Sequence, residues 1–392
     1  MVAVPPFVVG KPVTGEHFID REHELRRLWS LVVGLRSRAS SNAALIGLRR
    51  TGKTSILENL MIMLEKERDI LPVLISCYGL PSRSRLAKML VDCAIRIYVE
   101  KTSDNIYLKR ISKIVKSGAR ELLQRVSEVK LYDLHVRLKN PAADENQLVE
   151  EALNYIETLA HEKSVFFVIM LDEFQEMLRW GQLFLKRLRT VMQAQKRVCY
   201  ILAGSAPTVM KKLVLDRRSP FYRQLVEIPV GRLDGDVVRK FVKERLARAG
   251  LIPEDNAIEL FVEYCDGYPD YVQRLGLEIY LQSSPGDRIT REDVRLAYNN
   301  MLLSLTSEFE ALLQELSPLE REVMIAVAIG KSRTSQIARE VRKPITNISK
   351  TLATLVSYGL LEKISEGQFR QADPVLADWL RSRFTPLAER LA

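Results

Sequence analysis

The sequence is poor in cysteine and has no long apolar run. Its cysteines stand far apart in the chain, which excludes a CxxC metal site and a dense disulfide framework. They are Cys77, Cys93, Cys199 and Cys265. Widely spaced single cysteines are typical of a reducing cytosol, so we expect a cytoplasmic protein. The longest apolar runs, at 165–171 and 323–329, are far shorter than the ~20 residues of a membrane-spanning helix, so no membrane partner is expected.

The N-terminus also lacks a charged segment followed by a long apolar stretch, so a secretory signal is not expected. What the chain does have is the balance of a globular protein, with 392 residues, 47% of them hydrophobic and 28% charged. At roughly 150 residues per domain, this length predicts two or three domains. Lys and Arg outnumber Asp and Glu by 59 to 49, and the surplus of +10 favours an anionic partner without indicating a fold.

A glycine-bearing segment at 47–54 reads GLRRTGKT and fits the pattern GxxxxGK[ST]. A short apolar run at 43–46 precedes it and a helical pattern at 55–67 follows, so it lies between a strand and a helix. Glycines let backbone N–H groups point inward at phosphate oxygens, and the helix N-terminus faces the same charge. We therefore predict a phosphate loop that binds ATP or ADP. Its candidate nucleotide-binding residues are Gly47, Arg50, Thr51, Gly52, Lys53, Thr54 and Ser55.

Two acids, Asp172 and Glu173, follow directly after the apolar run at 165–171. Such a run is typical of a strand buried on both faces of a parallel sheet, and these sheets bind ligands at the carboxyl ends of their strands. We expect Asp172 and Thr54 to hold Mg²⁺ and Lys53 to contact the β- and γ-phosphates. Glu173 would then polarise the attacking water as general base. An acid in this position favours water as the acceptor, and hence hydrolysis.

A further buried strand is predicted at 198–203, and Ser205 lies just beyond its end. If this strand lies between the other two, Ser205 comes close to the γ-phosphate and joins the catalytic residues. A simple turn residue is the alternative. Apolar runs at 71–77 and 225–230 complete a sheet of five strands. The predicted fold class is therefore α/β, with the parallel sheet of a P-loop nucleoside triphosphatase.

The pattern of helices and strands divides the chain into three regions. They are an ATPase core at 1–230, a helical lid at 231–305 and a winged-helix domain at 306–392. Within the core, a long helical excursion includes a basic segment at 101–130, with eight Lys or Arg against three acids. This segment either faces nucleic acid or forms solvated helix surfaces. Alternation of apolar and polar residues at 129–138 predicts a short strand or hairpin.

The last region has the order helix, helix, turn, helix and hairpin, which is the order of a winged helix. Its helix at 345–358 would enter the major groove of double-stranded DNA. Residues 331–350 carry six Lys or Arg against one Glu, which concentrates positive charge where a DNA backbone would lie. Asn and Lys side chains can contact base edges or phosphates. The predicted DNA-binding residues are Arg333, Lys343, Thr346, Asn347 and Lys350.

Five segments, in order along the chain, resemble motifs of the archaeal ATPase family, in the STAND branch of AAA+-related P-loop proteins. They are 18–25 (FIDREHEL), 47–54 (GLRRTGKT), 171–175 (LDEFQ), 219–223 (SPFYR) and 267–269 (GYP). The resemblance implies an ATPase with a helical lid, and more distantly the plan of origin-recognition initiator ATPases. It places Arg21 near the adenine, Pro269 in the lid beside the nucleotide and Arg223 as an arginine finger. From the residues alone, Arg217 and Arg218 remain alternatives to Arg223, acting in the same or a neighbouring subunit.

Two functions fit these residues. In the first, the protein is a DNA-associated ATPase, in which hydrolysis changes the angle between sheet and lid and so moves the winged helix. In the second, it is a slow nucleotide-dependent switch that holds ADP and whose winged helix docks a protein partner. A small-molecule phosphotransferase is disfavoured by the pair Asp172 and Glu173 and by the appended winged helix. Whether the active form is a monomer or an oligomer does not follow from the sequence.

Overall fold

The fold was analysed in a computed structural model. The structure describes residues 5–37, 39, 41–104, 107, 126–138 and 144–384. Most of the basic segment 101–130 lies outside these residues. All four cysteines lie within them and are free thiols. No helix in the described part of the chain is long and apolar enough to cross a membrane.

A five-stranded parallel sheet forms the centre of the N-terminal region. Its strands are β1 Ala43–Ile46, β2 Ile70–Ser76, β3 Phe166–Asp172, β4 Val198–Gly204 and β5 Val226–Pro229. In space they follow the order β2-β3-β4-β1-β5. Most of their residues are buried on both faces, which is why they read as continuous apolar runs. The predicted five-stranded sheet is confirmed, and β4 lies between β1 and β3, as the interpretation of Ser205 required.

Helices cover both faces of this sheet. In chain order they are α1 Glu22–Val33, α2 Lys53–Glu65, α3 Arg83–Thr102, α4 Val126–Leu138, α5 Glu145–Lys163, α6 Gly181–Ala194 and α7 Pro207–Leu215. One apolar core lies between the sheet and α1 and α2, and a second lies between the sheet and the other helices. A 3-10 segment, Phe174–Trp180, follows β3 directly. The result is a three-layer α/β/α arrangement.

The prediction of a strand or hairpin at 129–138 is wrong, because these residues belong to helix α4. Leu131 and Leu134 are buried and Leu138 packs against the same core. Spacings of three and four residues place them on one helix face, which packs against α5. Val136, whose position created the apparent alternation, is 50% exposed. Val136, a partly exposed apolar residue on the outer face of the helix, therefore produced the apolar–polar alternation that is typical of a strand.

A helical lid follows β5. It consists of α8 Gly235–Arg248, α9 Asp255–Cys265, α10 Pro269–Gln282 and α11 Arg291–Ser304, with a short pair of strands, β6 Ile252–Pro253 and β7 Arg288–Ile289. Pro269 is the first residue of α10, where its missing N–H costs no hydrogen bond. Gly267 turns the chain before it with a φ of 70°, and a Cβ there would lie 2.4 Å from the carbonyl oxygen of Leu233. The turn that aims α10 therefore depends on a glycine.

The C-terminal module, residues 306–384, contains five helices and a hairpin among the described residues. They are α12 Thr306–Glu315, α13 Pro318–Ala328, α14 Thr334–Val341, α15 Ile345–Ser357, the antiparallel strands β8 Leu361–Ser365 and β9 Gln368–Gln371, and α16 Pro374–Phe384. From α13 onward this is the order of elements expected of a winged helix. The candidate recognition helix is α15.

The lid and the C-terminal module share one continuous apolar core. Polar contacts reinforce it, since the Tyr298 hydroxyl donates to Asp378 at 2.6 Å and the Tyr268 hydroxyl donates to the carbonyl oxygen of Ala372 at 2.5 Å. The sequence-based boundary at residue 305 separates two regions whose apolar side chains are packed together. We therefore expect the lid and the module to move as one body relative to the sheet.

Gly276 allows the N-terminal segment to pack against α10. A Cβ at this position would lie 2.4 Å from the ring of Phe7, which is 1% exposed. We expect Gly276→Ala to lower the free energy of unfolding by about 1–3 kcal/mol through overpacking, although alanine favours helices. Urea unfolding of the full chain measures this change.

The matched control for this prediction is Gly235→Ala at the start of α8. A Cβ there would meet Val262 Cγ1 at 3.4 Å, which is ordinary van der Waals contact. This variant should be as stable as the parent or slightly more so. Equal urea midpoints for the Gly276 variant and the parent would contradict the close approach of Phe7.

Candidate active site

The loop at 47–54 forms a tight turn between β1 and α2. Gly47 packs so closely that a Cβ would lie 2.3 Å from the carbonyl oxygen of Val230. Gly52 has a φ of 89° immediately before α2, and Arg50 has a φ of 65°. The Thr51 hydroxyl donates to the carbonyl of Leu48 at 2.8 Å. These constraints leave the N-terminus of α2 facing a cavity, as a phosphate-binding loop requires.

The cavity in front of the loop has a volume of about 640 Å³, within the usual range of small-molecule sites. The phosphate loop lines its base, and the N-terminal segment 8–13 lines one side. Ser55 holds this segment, since its hydroxyl accepts a hydrogen bond from the N–H of Val13 at 3.1 Å. Pro269 and the first turn of α10 form another wall. Residues of α12 and of later parts of the C-terminal module complete the lining, so all three regions contribute to the cavity.

Lys53 is buried beneath the loop, with 5% of the residue exposed. Its ammonium group donates to the carbonyl oxygens of Gly47 at 2.9 Å and Leu48 at 2.6 Å. Burial lowers the pKa of Lys53 to about 8, and the nearby carboxylates of Glu173 and Asp172 oppose this effect. A buried ammonium group whose bonds to neutral carbonyls only partly stabilise it is well suited to bind phosphate oxygens.

Thr54 and Asp172 bring two oxygen ligands together at the edge of the sheet. The Thr54 hydroxyl donates to a carboxylate oxygen of Asp172 at 2.6 Å. Asp172 is the last residue of β3 and is buried, and burial raises its pKa although the bond from Thr54 opposes the change. Oxygen donors of this kind are those that Mg²⁺ prefers. The two residues predicted to hold Mg²⁺ are therefore joined by a hydrogen bond between α2 and β3.

Glu173 belongs to a compact polar cluster beside this pair. The Ser205 hydroxyl donates to Glu173 Oε2 at 2.5 Å, and the Gln175 amide donates to the same oxygen. Gln175 also donates to Ser205 Oγ and accepts from its N–H, both at 3.1 Å. A Cβ on Gly204 would lie 2.8 Å from Gln175 Oε1. The end of β4 and the residues after β3 therefore fix the orientation of the Glu173 carboxylate.

Gln175 was not identified as a functional residue from the sequence. It appeared only as the last residue of the segment LDEFQ, where its side chain has no evident task. The structure places it between Glu173 and Ser205, the predicted base and the predicted γ-phosphate contact. The missed signal is its spacing, because three residues past the end of a strand the chain can turn back across the neighbouring strand.

Arg21 is buried behind the loop. Its guanidinium donates to the carbonyl oxygens of Thr51 at 3.2 Å and Gly231 at 2.7 Å, and it pairs with Glu24 at 3.3 Å. Burial lowers the pKa of Arg21, although the neighbouring acids oppose the change. These bonds fix the phosphate loop to the segment that follows β5. A direct contact of Arg21 with the adenine stays a prediction.

Arg50 extends away from the loop towards the lid and the C-terminal module. It forms ion pairs with Asp270 in the first turn of α10 and with Glu308 of α12. Asp373, just before α16, lies 3.7 Å away. Arg274, which sequence reasoning also missed, lines the cavity and donates to Asp270 at 2.8 Å. These carboxylates lie far along the chain from the loop, and no local pattern relates them to it.

The structure does not bring the candidate arginine fingers to the cavity of their own chain. Arg217, Arg218 and Arg223 are exposed, and none is among the described residues that line the cavity. Arg218 pairs with Asp216 at 3.1 Å, and the guanidinium of Arg223 lies 5.2 Å from the ring centre of Tyr222. A role for Arg223 as a finger therefore remains a prediction that requires a second subunit.

The predicted DNA-binding residues are all exposed: one directly precedes α14, one lies in the turn between α14 and α15, and three lie on α15. Within the described part of the chain, none of these side chains has an ion-pair partner. They are Arg333, Lys343, Thr346, Asn347 and Lys350. Their positive charge is thus available to an external anion.

The far end of α15 contacts the candidate active site. Gly359 ends the helix with a φ of 74°, and a Cβ there would lie 3.2 Å from the carbonyl oxygen of Ser205. Leu48 of the phosphate loop and Pro207 of α7 lie within ordinary van der Waals distance of the same position. One end of the candidate recognition helix is therefore exposed, and the other is packed against the nucleotide loop.

The chain is similar to known proteins over most of its length. Residues 18–275 match the family described as an ATPase domain predominantly from Archaea. An uncharacterised HTH-type transcriptional regulator of Methanocaldococcus jannaschii is 23% identical over 377 residues, which cover 91% of this chain and 87% of that protein.

Solved structures share the fold. The Walker-type ATPase PABY2304 of Pyrococcus abyssi has a TM-score of 0.71 at 21% identity, covering 96% of this chain and 99% of that one. The Aeropyrum pernix ORC1 protein in complex with DNA has a TM-score of 0.52 at 16% identity, with coverages of 96% and 95%. The ORC2 protein of the same organism, in ADPNP-ADP complexes, has a TM-score of 0.56 at 15% identity, with coverages of 93% and 95%. Because the family match spans well over half of the sequence, this chain belongs to the family of ATPase domains found predominantly in archaea.

Proposed function

We propose that the protein hydrolyses ATP with Mg²⁺ and couples its nucleotide state to a C-terminal module that binds double-stranded DNA. The observation that carries the proposal is the hydrogen bond from Thr54 to Asp172 beside the oriented carboxylate of Glu173. Thr54 and Glu173 both line the cavity, which a buried lysine and a helix N-terminus make favourable for phosphate.

The residues present fit a magnesium ion. Thr54 and Asp172 offer two hard oxygen ligands. The described part of the chain contains no group of three or more His, Cys, Asp or Glu side chains that could hold a metal alone. An ion at this pair would complete its shell with phosphate oxygens and water, which is how Mg²⁺ is usually bound. When bound there, Mg²⁺ would neutralise negative charge that develops on the β- and γ-phosphates.

The remaining chemistry is assigned to side chains of this chain. Glu173 would accept a proton from the attacking water, and the bonds from Ser205 and Gln175 hold its carboxylate in place. Lys53 would move its hydrogen bonds from the loop carbonyls to the β- and γ-phosphates. Ser205, at the end of the strand between β1 and β3, has one hydroxyl proton, so it would donate to the γ-phosphate by giving up its bond to Glu173, which the Gln175 amide would then hold alone.

The DNA part of the proposal rests on the exposed basic surface of α14 and α15. One relative carries the name of an HTH-type transcriptional regulator, and one structure of the same fold was solved in complex with DNA. Filter binding of duplex DNA at two salt concentrations tests this part, because neutralised phosphates make the affinity depend on salt. No salt-dependent retention of DNA, with or without ATP, would remove this part of the proposal and would instead favour the protein-docking switch.

Steady-state phosphate release tests the ATPase part. We expect ATP-dependent release that requires added Mg²⁺ and stops when EDTA is added. Tight binding of ADP without measurable release would favour a switch over an enzyme. These outcomes are independent of whether DNA is bound, so each part of the proposal can fail alone.

Lys350→Ala should weaken duplex binding and lower the slope of log affinity against log salt by about 1, as for one lost phosphate contact. Lys350 is exposed on α15 and has no ion-pair partner among the described residues. Lys240→Ala is the matched control, because Lys240 is an exposed lysine of α8 outside the module. Salt titrations of filter binding measure both slopes. Equal slopes for the two variants would remove Lys350 from the interface.

A further inference from the structure

The guanidinium of Arg50 joins the phosphate loop to elements of both the lid and the C-terminal module. It pairs with Asp270 of α10 and Glu308 of α12, and its Nε lies 3.7 Å from Asp373. The ring of Tyr271 lies 5.0 Å from the guanidinium, and the Tyr271 hydroxyl donates to Asp373. Loop, lid and module therefore meet at one side chain, which is only 14% exposed.

The backbone conformation of Arg50 also indicates that contacts with the lid and the module hold this residue in place. Its φ of 65° lies in the left-handed region, which is unfavourable for a non-glycine residue and persists where the surroundings enforce it. The preceding Arg49 is exposed and has no ion-pair partner among the described residues. Of the two loop arginines, Arg49 is therefore exposed to solvent, and Arg50 forms ion pairs with the lid and the module.

The charges around Arg50 do not balance. Arg50 and Arg274 supply two positive charges, and the three carboxylates of Asp270, Glu308 and Asp373 supply three negative charges. All five side chains line the cavity that the nucleotide would enter. A triphosphate would bring further negative charge next to these carboxylates, in a partly buried place where repulsion is stronger than in water. Its oxygens accept bidentate hydrogen bonds from a guanidinium as carboxylates do, so they can compete with these carboxylates for Arg50.

We propose that Arg50 holds the lid and the C-terminal module closed over the cavity in the nucleotide-free protein, and that the phosphates of ATP compete for its guanidinium and release them. This inference rests on the proposed function, since it requires a triphosphate at the loop. Because the lid and the module share a core, they would move together. The movement would separate Gly359 from Ser205 and Pro207, and so free the inner end of α15.

A distance between the sheet region and the module measures the movement directly. Spin labels are placed at Thr190→Cys in α6 and Ser335→Cys in α14, both exposed positions, with Cys93→Ser to remove the least buried native thiol. Pulsed electron paramagnetic resonance on the full chain should give one short distance without nucleotide, and a longer one with ADPNP and Mg²⁺. Arg50→Ala should show the longer distance already without nucleotide. Arg50→Lys should give a mixture of the short and the longer distance without nucleotide, because an ammonium group cannot bind several carboxylates with the fixed geometry of a guanidinium.

The matched control is Arg239→Ala. Arg239 also pairs with two carboxylates, Asp236 and Glu259, but both belong to the lid, so its loss should leave the distance unchanged. If Arg50→Ala fails to fold, the double variant Asp270→Asn with Glu308→Gln removes the partners and leaves the loop intact. It should show the longer distance.

Two results would overturn the proposal. One is a short distance in nucleotide-free Arg50→Ala and in the double variant. The other is wild-type protein that binds ADPNP by calorimetry without any lengthening. Failure of the wild type to bind ADPNP would refute the proposed function instead. Even then, the nucleotide-free comparison of Arg50→Ala with Arg239→Ala would decide whether Arg50 closes the module.

Discussion

Glu173→Gln should lower the rate of phosphate release by roughly 10²–10⁴-fold, the usual contribution of a general base. The substitution keeps the size of the side chain and an oxygen that can accept from Ser205 and Gln175. It removes the group that would accept the proton from water. ATP should therefore still bind, since the phosphate loop, Lys53 and Thr54 are unchanged. Phosphate release and equilibrium ATP binding, measured on the same preparation, separate the two effects.

Glu176→Gln provides the matched control for this substitution. Glu176 lies three residues further on in the 3-10 segment and pairs with Arg179 at 3.9 Å instead of contributing to the polar cluster. Its loss should leave the rate of phosphate release near that of the parent. Hydrolysis by Glu173→Gln at the parental rate would show that another group, or water alone, takes the proton.

The second large effect is expected from Lys53→Met. Hydrogen bonds to charged groups contribute about 1.5–3 kcal/mol, so loss of the ammonium should weaken ADP binding on the order of 10- to 100-fold. Without nucleotide, the variant should be at least as stable as the parent. The parent holds a buried ammonium group whose pKa burial lowers to about 8, and methionine fills a similar volume without that desolvation.

Melting temperatures with and without ADP test both halves of this prediction. The parent should be stabilised by ADP, because a ligand that binds the folded state alone shifts the unfolding equilibrium. Lys53→Met should lose most of that shift while keeping its melting temperature without ADP. Lys66→Met is the control, because Lys66 is exposed at the opposite end of α2. A parental ADP shift in Lys53→Met would refute a phosphate contact for Lys53.

The sheet and the phosphate loop could be predicted from sequence because their signals are local. Strands buried on both faces read as apolar runs, and the loop has a fixed spacing between glycine, lysine and threonine. The place of Asp172 at the edge of the sheet followed from the rule that such sheets bind ligands at the carboxyl ends of their strands, whereas its hydrogen bond with Thr54 was not predicted. The helices from α13 onward were found from their apolar periodicity, whereas α12 was not predicted.

The remaining features arise from contacts between distant parts of the chain. Ser205 joins Glu173 and Gln175 only because β4 lies beside β3 in the sheet. The partners of Arg50 lie more than two hundred residues away, in first turns and loops whose acids look like ordinary helix caps in the sequence. Helix α4 was mistaken for a strand because the sequence does not show which of its apolar residues are buried. Only the packing of the helix reveals that Leu131 and Leu134 are buried while Val136 is exposed.

The order of the strands has a consequence for synthesis of the protein on the ribosome. Strand β1, which leads into the phosphate loop, pairs on one side with β4 and on the other with β5, at Ala43 with Ile201 and Val226. Neither partner exists when β1 leaves the ribosome, and at 5–20 residues per second both follow roughly ten to forty seconds later. During this interval a short apolar segment has no native sheet to join. The nucleotide site is therefore among the last parts of the N-terminal region to form, and nascent chains ending before β5 would be prone to aggregate.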